Sequence, residues 1–127
     1  MTSADPKPDI PRADPSIFKD AVLTSVMVWK YGVSLSFNDE PMAITIEGNA
    51  EIRSNGRSEN HDAQGGIALG ARLLELLDRK VVSVAYDEKA KALVLAFDGS
   101  VELTLRPDDT GYESYQINVP GRSPLIA

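Results

Sequence analysis

From Ala21 onward, apolar residues recur at every second position. In VLTSVMVWKYGVSLSF, residues 22–37, Val26, Val28, Val33, Leu35 and Phe37 alternate with neighbours that are mostly polar or aromatic, and Lys30-Tyr31-Gly32 interrupts them. Period two is the repeat of a pleated strand, so this segment predicts a hairpin. In MAITIEG, residues 42–48, Met42, Ile44 and Ile46 fall on one side and Ala43, Thr45 and Glu47 on the other, which adds a third strand. AEIRSNGRSE, residues 50–59, continues the meander through Asn55-Gly56, a pair that tolerates the left-handed backbone of a tight turn.

The period then changes. In IALGARLLELLDRK, residues 67–80, Leu69, Leu73 and Leu76 form one row and Ile67, Gly70, Leu74 and Leu77 the next. Arg72, Glu75 and Asp78 lie opposite, so the pattern predicts an amphipathic helix whose wide apolar stripe faces a core. Asp62 or Gln64 stands near its start, and Gly65-Gly66 softens that boundary. Beyond it the alternation returns at Val82 and Val84, at Leu93, Leu95 and Phe97, and at Val101, Leu103 and Leu105. A last strand is expected where Tyr115, Ile117 and Val119 alternate with Ser114, Gln116 and Asn118, before Pro120-Gly121.

The second series echoes the first. Val26 and Val28 match Val82 and Val84; Val33, Leu35 and Phe37 match Leu93, Leu95 and Phe97; Ile44 and Ile46 match Leu103 and Leu105. Either a structural unit is repeated, or two sets of amphipathic strands draw on the same small vocabulary. The expected fold is α+β: an antiparallel β-meander, one amphipathic helix and a second β-meander, packed as one domain over residues 17–120. Because the apolar positions alternate and are not continuous, one face of the sheet should be wet. Residues 1–16 hold four of the eight prolines, each lacking an amide donor and restricting its predecessor, and are expected to form a flexible leader. Residues 121–127 are expected to be a C-terminal tail.

Composition narrows the function. A chain of 127 residues suits one core, and 43% hydrophobic with 25% charged residues is the balance of a folded domain. Its net charge of -6 disfavours nucleic acid, which is held through lysine and arginine on phosphate, and favours a basic protein surface. No apolar run approaches the ~20 residues of a membrane helix, and no secretory signal is evident, so neither a membrane nor export is expected and the cytoplasm is the default.

Chemistry is scarce. Without cysteine there is no thiolate metal site or cysteine nucleophile. His61 is the one histidine, in the polar run SENHDA, and is expected to be a solvated loop residue. No serine stands in a nucleophile-elbow context. The acid pairs Asp39-Glu40, Asp87-Glu88 and Asp108-Asp109 fall in expected turns without the ligand ladder of a calcium loop. GGIALG, residues 65–70, opens a helix but lacks the lysine of a phosphate loop. No enzyme activity and no cofactor are therefore expected.

The few aromatic residues are placed suggestively. Trp29 and Tyr31 flank Lys30 at a hairpin tip, and Tyr112 and Tyr115 bracket Glu113. With Asp39, Glu40, Asp108 and Asp109 as accompanying acids, they compose a candidate protein-binding surface. The alternative is that the rings cover the edge of the core with their polar tips wet.

The C-terminal half, from LLELLDRKVVSVAYD through LVLAFDGSVELTLRPDDTGYESYQINVPG, resembles a family of small uncharacterised bacterial domains common in actinobacteria. The likeness rests on the leucine-rich helix end, on Val81 to Val84, on the Leu95 to Leu105 hairpin with its Asp98-Gly99, and on Tyr112 to Tyr115. Tyr115 departs from the tryptophan frequent there. Such domains are similar to immunity proteins of bacterial toxin systems in size, acidity and lack of catalytic residues. The resemblance implies a non-catalytic protein that occludes the active site of a cognate, basic toxin domain. A small-ligand-binding or structural accessory domain using the open sheet face is the alternative.

Overall fold

Alternation along the strands becomes alternation of burial. A computed structural model describes residues 10–64, 66–107 and 113–127. Among these residues the first series gives β1 (Leu23–Trp29), β2 (Gly32–Phe37), β3 (Met42–Ile46), β4 (Asn49–Ser54) and β5 (Arg57–Asp62). The helix α1 (Ile67–Leu74) follows, then β6 (Val81–Asp87), β7 (Ala92–Phe97), β8 (Val101–Leu105), β9 (Tyr115–Asn118) and β10 (Leu125–Ile126). A short 3-10 turn, Pro15–Phe18, precedes β1. Val33, Leu35 and Phe37 are buried with Ile44 and Ile46 from β3, and Leu93, Leu95 and Phe97 with Leu103 and Leu105 from β8, all in one hydrophobic cluster.

The strands are antiparallel and, among the described residues, a single α-helix accompanies them, but the expected side-by-side meanders are replaced by two five-stranded sheets. Their orders are β1-β2-β3-β9-β10 and β5-β4-β8-β7-β6. Each half builds a three-stranded meander and then sends its final hairpin to the other half's sheet: β4 pairs with β8, and β9 pairs with β3. The two sheets meet where Val22 bridges Lys80, at the starts of β1 and β6.

The two halves still correspond in register, as the ladders show. Leu35 opposes Val26 and Ile44, as Leu95 opposes Val84 and Leu103. A register shift lies between Leu23 and Ser25 in β1 and between Val81 and Ser83 in β6. Val26 therefore corresponds to Val84 and Val28 to Tyr86, two residues away from the match expected from sequence, because the turn between β1 and β2 has two residues and that between β6 and β7 has four, a difference of two that alternation does not register. The connections agree as well. The Asp20 amide donates to the Val81 carbonyl (2.7 Å) and the Asp78 amide to the Leu23 carbonyl (2.9 Å). Both aspartates have φ of 68°, a left-handed conformation that this residue type tolerates better than most.

Helix α1 is shorter than the expected 67–80. After Leu74 the amides of Leu76, Leu77 and Arg79 reach back three residues, to Leu73, Leu74 and Leu76, which tightens the chain into the Asp78 turn. The apolar stripe is also only half covered. Leu69, Gly70, Leu73 and Leu76 are buried, whereas Ile67, Leu74 and Leu77 are exposed. The helix lies along β1, where a Cβ on Gly70 would fall 2.3 Å from Val28 Cγ2, so glycine sets the closeness of this approach.

The termini are more ordered than a leader ending at residue 16 and a tail beginning at 121 would be. The Ala13 amide donates to the Ser123 carbonyl (2.8 Å) and the Ser123 amide to the Pro11 carbonyl (3.0 Å). Arg12 pairs with Glu88 at 2.9 Å and its guanidinium lies 5.8 Å from the Tyr86 ring centre. Ala13 and Leu125 are each 1% exposed, so apolar burial as well as backbone pairing secures both segments. Residues 1–9 of the expected leader lie outside the described residues.

Candidate functional site

The aromatic surface expected from sequence is divided by the fold. Trp29, half-exposed at the end of β1, lies across Gly32, and Tyr31 is exposed with the Lys30 Nζ 5.3 Å from its ring centre. Glu113 is exposed at the same end of the first sheet, because the neighbouring Ser114 carbonyl accepts from the amides of Glu47 and Gly48 just beyond β3. Asp39 and Glu40 occupy the β2–β3 turn, at the other end of the six-residue β2 and so roughly 20 Å away. Asp108, Asp109 and Tyr112 lie outside the described residues.

Tyr115 does not belong to this surface. It is 1% exposed, opposite Ile46 on β3, and its hydroxyl donates to the Lys91 carbonyl at 2.6 Å. A tyrosine whose ring and polar tip are both engaged internally offers nothing to a partner.

An apolar surface that sequence reasoning missed lies on α1 and the neighbouring edge strand β1. Ile67 is 78% exposed, Leu74 47% and Leu77 37%, and on β1 Val28, which faces the helix, is 39% exposed, whereas Met27 opposes Ser34 on the other face of the sheet. The close contact of Gly70 with Val28 makes helix and strand adjacent, and Glu75 and Asp78 are exposed at the end of the same helix. No signal in the sequence separates these leucines from their buried neighbours, since both rows are equally apolar.

His61 is also placed differently from the expected loop. It sits in β5 opposite Ala50, with its side chain 16% exposed and Nε2 3.4 Å from a Glu59 carboxylate oxygen. Arg72 on α1 donates to Glu59 through Nε (3.1 Å) and Nη2 (2.8 Å), and through Nη1 to Glu75 (2.8 Å). This network ties the charged edge of the second sheet to the helix.

The Arg72 hydrogen bonds hold the Glu59 carboxyl below the usual carboxylate range. Glu51 is lowered in the same sense, first by the Ser58 hydroxyl and then by Arg106. A carboxyl depressed in the folded state contributes stability that is complete above its unfolded pKa, about 4.3, and is lost as pH falls through the folded value. Urea midpoints of the Arg72→Gln variant should therefore fall less than those of the parent between about pH 5 and pH 3. Parallel curves would show that the Arg72 to Glu59 bond carries no such linkage.

Among the described residues, no group of three or more His, Cys, Asp or Glu is arranged to hold a metal ion, and no helix is long and apolar enough to cross a membrane. Comparison with protein-family models, with curated proteins and with solved structures found no match to this chain.

Proposed function

We propose that this chain is a non-catalytic protein-binding module, most specifically an immunity protein that occludes the active site of a cognate basic toxin domain in the bacterial cytoplasm. The observation that carries the reading is the exposed apolar strip of α1 and β1 in a chain of net charge -6. Apolar residues next to exposed acids suit a partner with an apolar centre and a basic rim. Exposed Tyr31 and Glu113 at one end of the first sheet offer a smaller, separate contact area.

The test is calorimetric titration of a basic toxin domain encoded beside this chain. Ile67→Asp and Leu74→Gln are each expected to weaken the complex at least about tenfold, or roughly 1.4 kcal/mol, with their melting temperatures unchanged. Raising salt should slow association more than it speeds dissociation. Unchanged affinity in both variants would remove this surface. Failure of the domain to bind the parent chain would count against the toxin reading itself.

A further inference from the structure

We infer that a small polar cleft beneath the β4–β5 and β7–β8 turns binds one oxyanion, a carboxylate or phosphate group, on Arg79. The cleft has a volume of about 180 Å³ and is lined by Asn55, Arg72, Glu75, Arg79 and Gly99 among others. Since a water takes about 30 Å³ in the liquid, this volume suits one such group with a few waters.

The two arginines differ in how far they are already engaged. Arg72 is bonded to Glu59 and Glu75. Arg79 donates Nη1 to the Asp98 carbonyl at 3.3 Å, and no carboxylate lies within ion-pair distance of it among the described residues. A guanidinium carries five N–H donors in a planar fork that matches the paired oxygens of a carboxylate or phosphate. Gly99, with φ of 90°, makes room for it, because a Cβ there would fall 2.5 Å from Nη1.

The correspondence between the halves shows that the fold does not require an arginine here. The Arg79 amide donates to the Leu76 carbonyl (3.0 Å) as the Ala21 amide donates to the Phe18 carbonyl (3.0 Å), so Ala21 is the corresponding residue in the first half. Alanine, 2% exposed, serves there. Where the backbone demand is met by alanine in one copy, a half-exposed arginine in the other answers to something else.

Neighbouring charges limit the ligand's size. The adjoining cleft, about 630 Å³, shares Asn55 and Gly99 and carries Arg53 with Asp98 and Glu102. Those two carboxylates repel a polyanion more strongly than a single charge, and Glu75, in the cleft itself, is paired with Arg72. Asn55 comes from the first half, and Arg79 and Gly99 from the second, so the bound group would join the two halves.

The experiment titrates the full chain with sodium phosphate or sodium acetate against sodium chloride of equal ionic strength, following amide and arginine Nε resonances. Saturable shifts are expected at Asn55, Gly99 and Arg79 Nε, with a dissociation constant on the order of millimolar. Arg79→Gln should weaken binding at least about tenfold, while Arg53→Gln stays within about twofold. A response to phosphate alone assigns a phosphate group, and a response to acetate alone assigns a carboxylate. Absence of saturable shifts with either anion overturns the inference, as does undiminished binding by folded Arg79→Gln. Should that variant not fold, titration of the parent decides, and shifts that spare Arg79 Nε refute the site.

Discussion

Tyr115→Ala is expected to lower unfolding free energy by about 3–5 kcal/mol, the usual loss when a fully buried aromatic ring is truncated. The ring is 1% exposed against Ile46, and removing it would leave a cavity in the layer where the first sheet meets the core. Tyr115→Phe separates the hydroxyl from the ring. It leaves the Lys91 carbonyl without its 2.6 Å donor and should cost about 1–1.5 kcal/mol. Burial also pushes the Tyr115 hydroxyl pKa upward. A group raised in the folded state stabilises below its unfolded pKa, about 10, and that contribution is lost as pH rises further. Stability of the parent should therefore fall above about pH 10, and Tyr115→Phe should shallow that fall, leaving the part due to Tyr86, which burial also raises. Urea titrations at pH 7 and in the alkaline range measure both effects. An alanine variant as stable as the parent would return Tyr115 to the surface.

Two readings of the sequence competed at Tyr115, and the periodic one was sound. Alternation with Ile117 put the ring on the buried side, while its nearness to Glu113 suggested a binding surface. The same alternation located β2, β3, β7 and β8, whose inward residues are apolar, and Asn55-Gly56 forms its turn with φ of 54° and 77°. Strand β5 was harder to recognise because its inward positions are Glu59 and His61, the first of them held by Arg72 from a helix 13 residues away in sequence. A charged edge closed by a distant arginine has the composition of a loop. For α1, periodicity gave the apolar rows but not the width of the surface that receives them. Arg79 carries no motif and stands out only when the two halves are superposed in register. Partner choice between strands was invisible for a related reason: alternation fixes which face is buried, not which neighbour completes the ladder.

That missing information has a large consequence for folding. If the halves were two self-contained meanders, residues 10–64 would retain β1 to β5 when expressed alone. In the observed topology β3 needs β9, and β4 needs β8, so both partners lie beyond the cut. The fragment would expose two unpaired strand edges and lose half of a shared core, too much for a chain of this size to offset. It is expected to show no cooperative melting transition as a monomer and little amide protection. Mixed with residues 66–127, it should regain the far-ultraviolet spectrum of the intact chain at one-to-one stoichiometry. A homodimer of either fragment would obey the same rule, the hairpin of a second copy taking the place left empty on the first. A protected, cooperatively melting monomer of residues 10–64 would instead mean that β4 and β5 can close their own sheet, and the exchange of hairpins would then be dispensable to the fold.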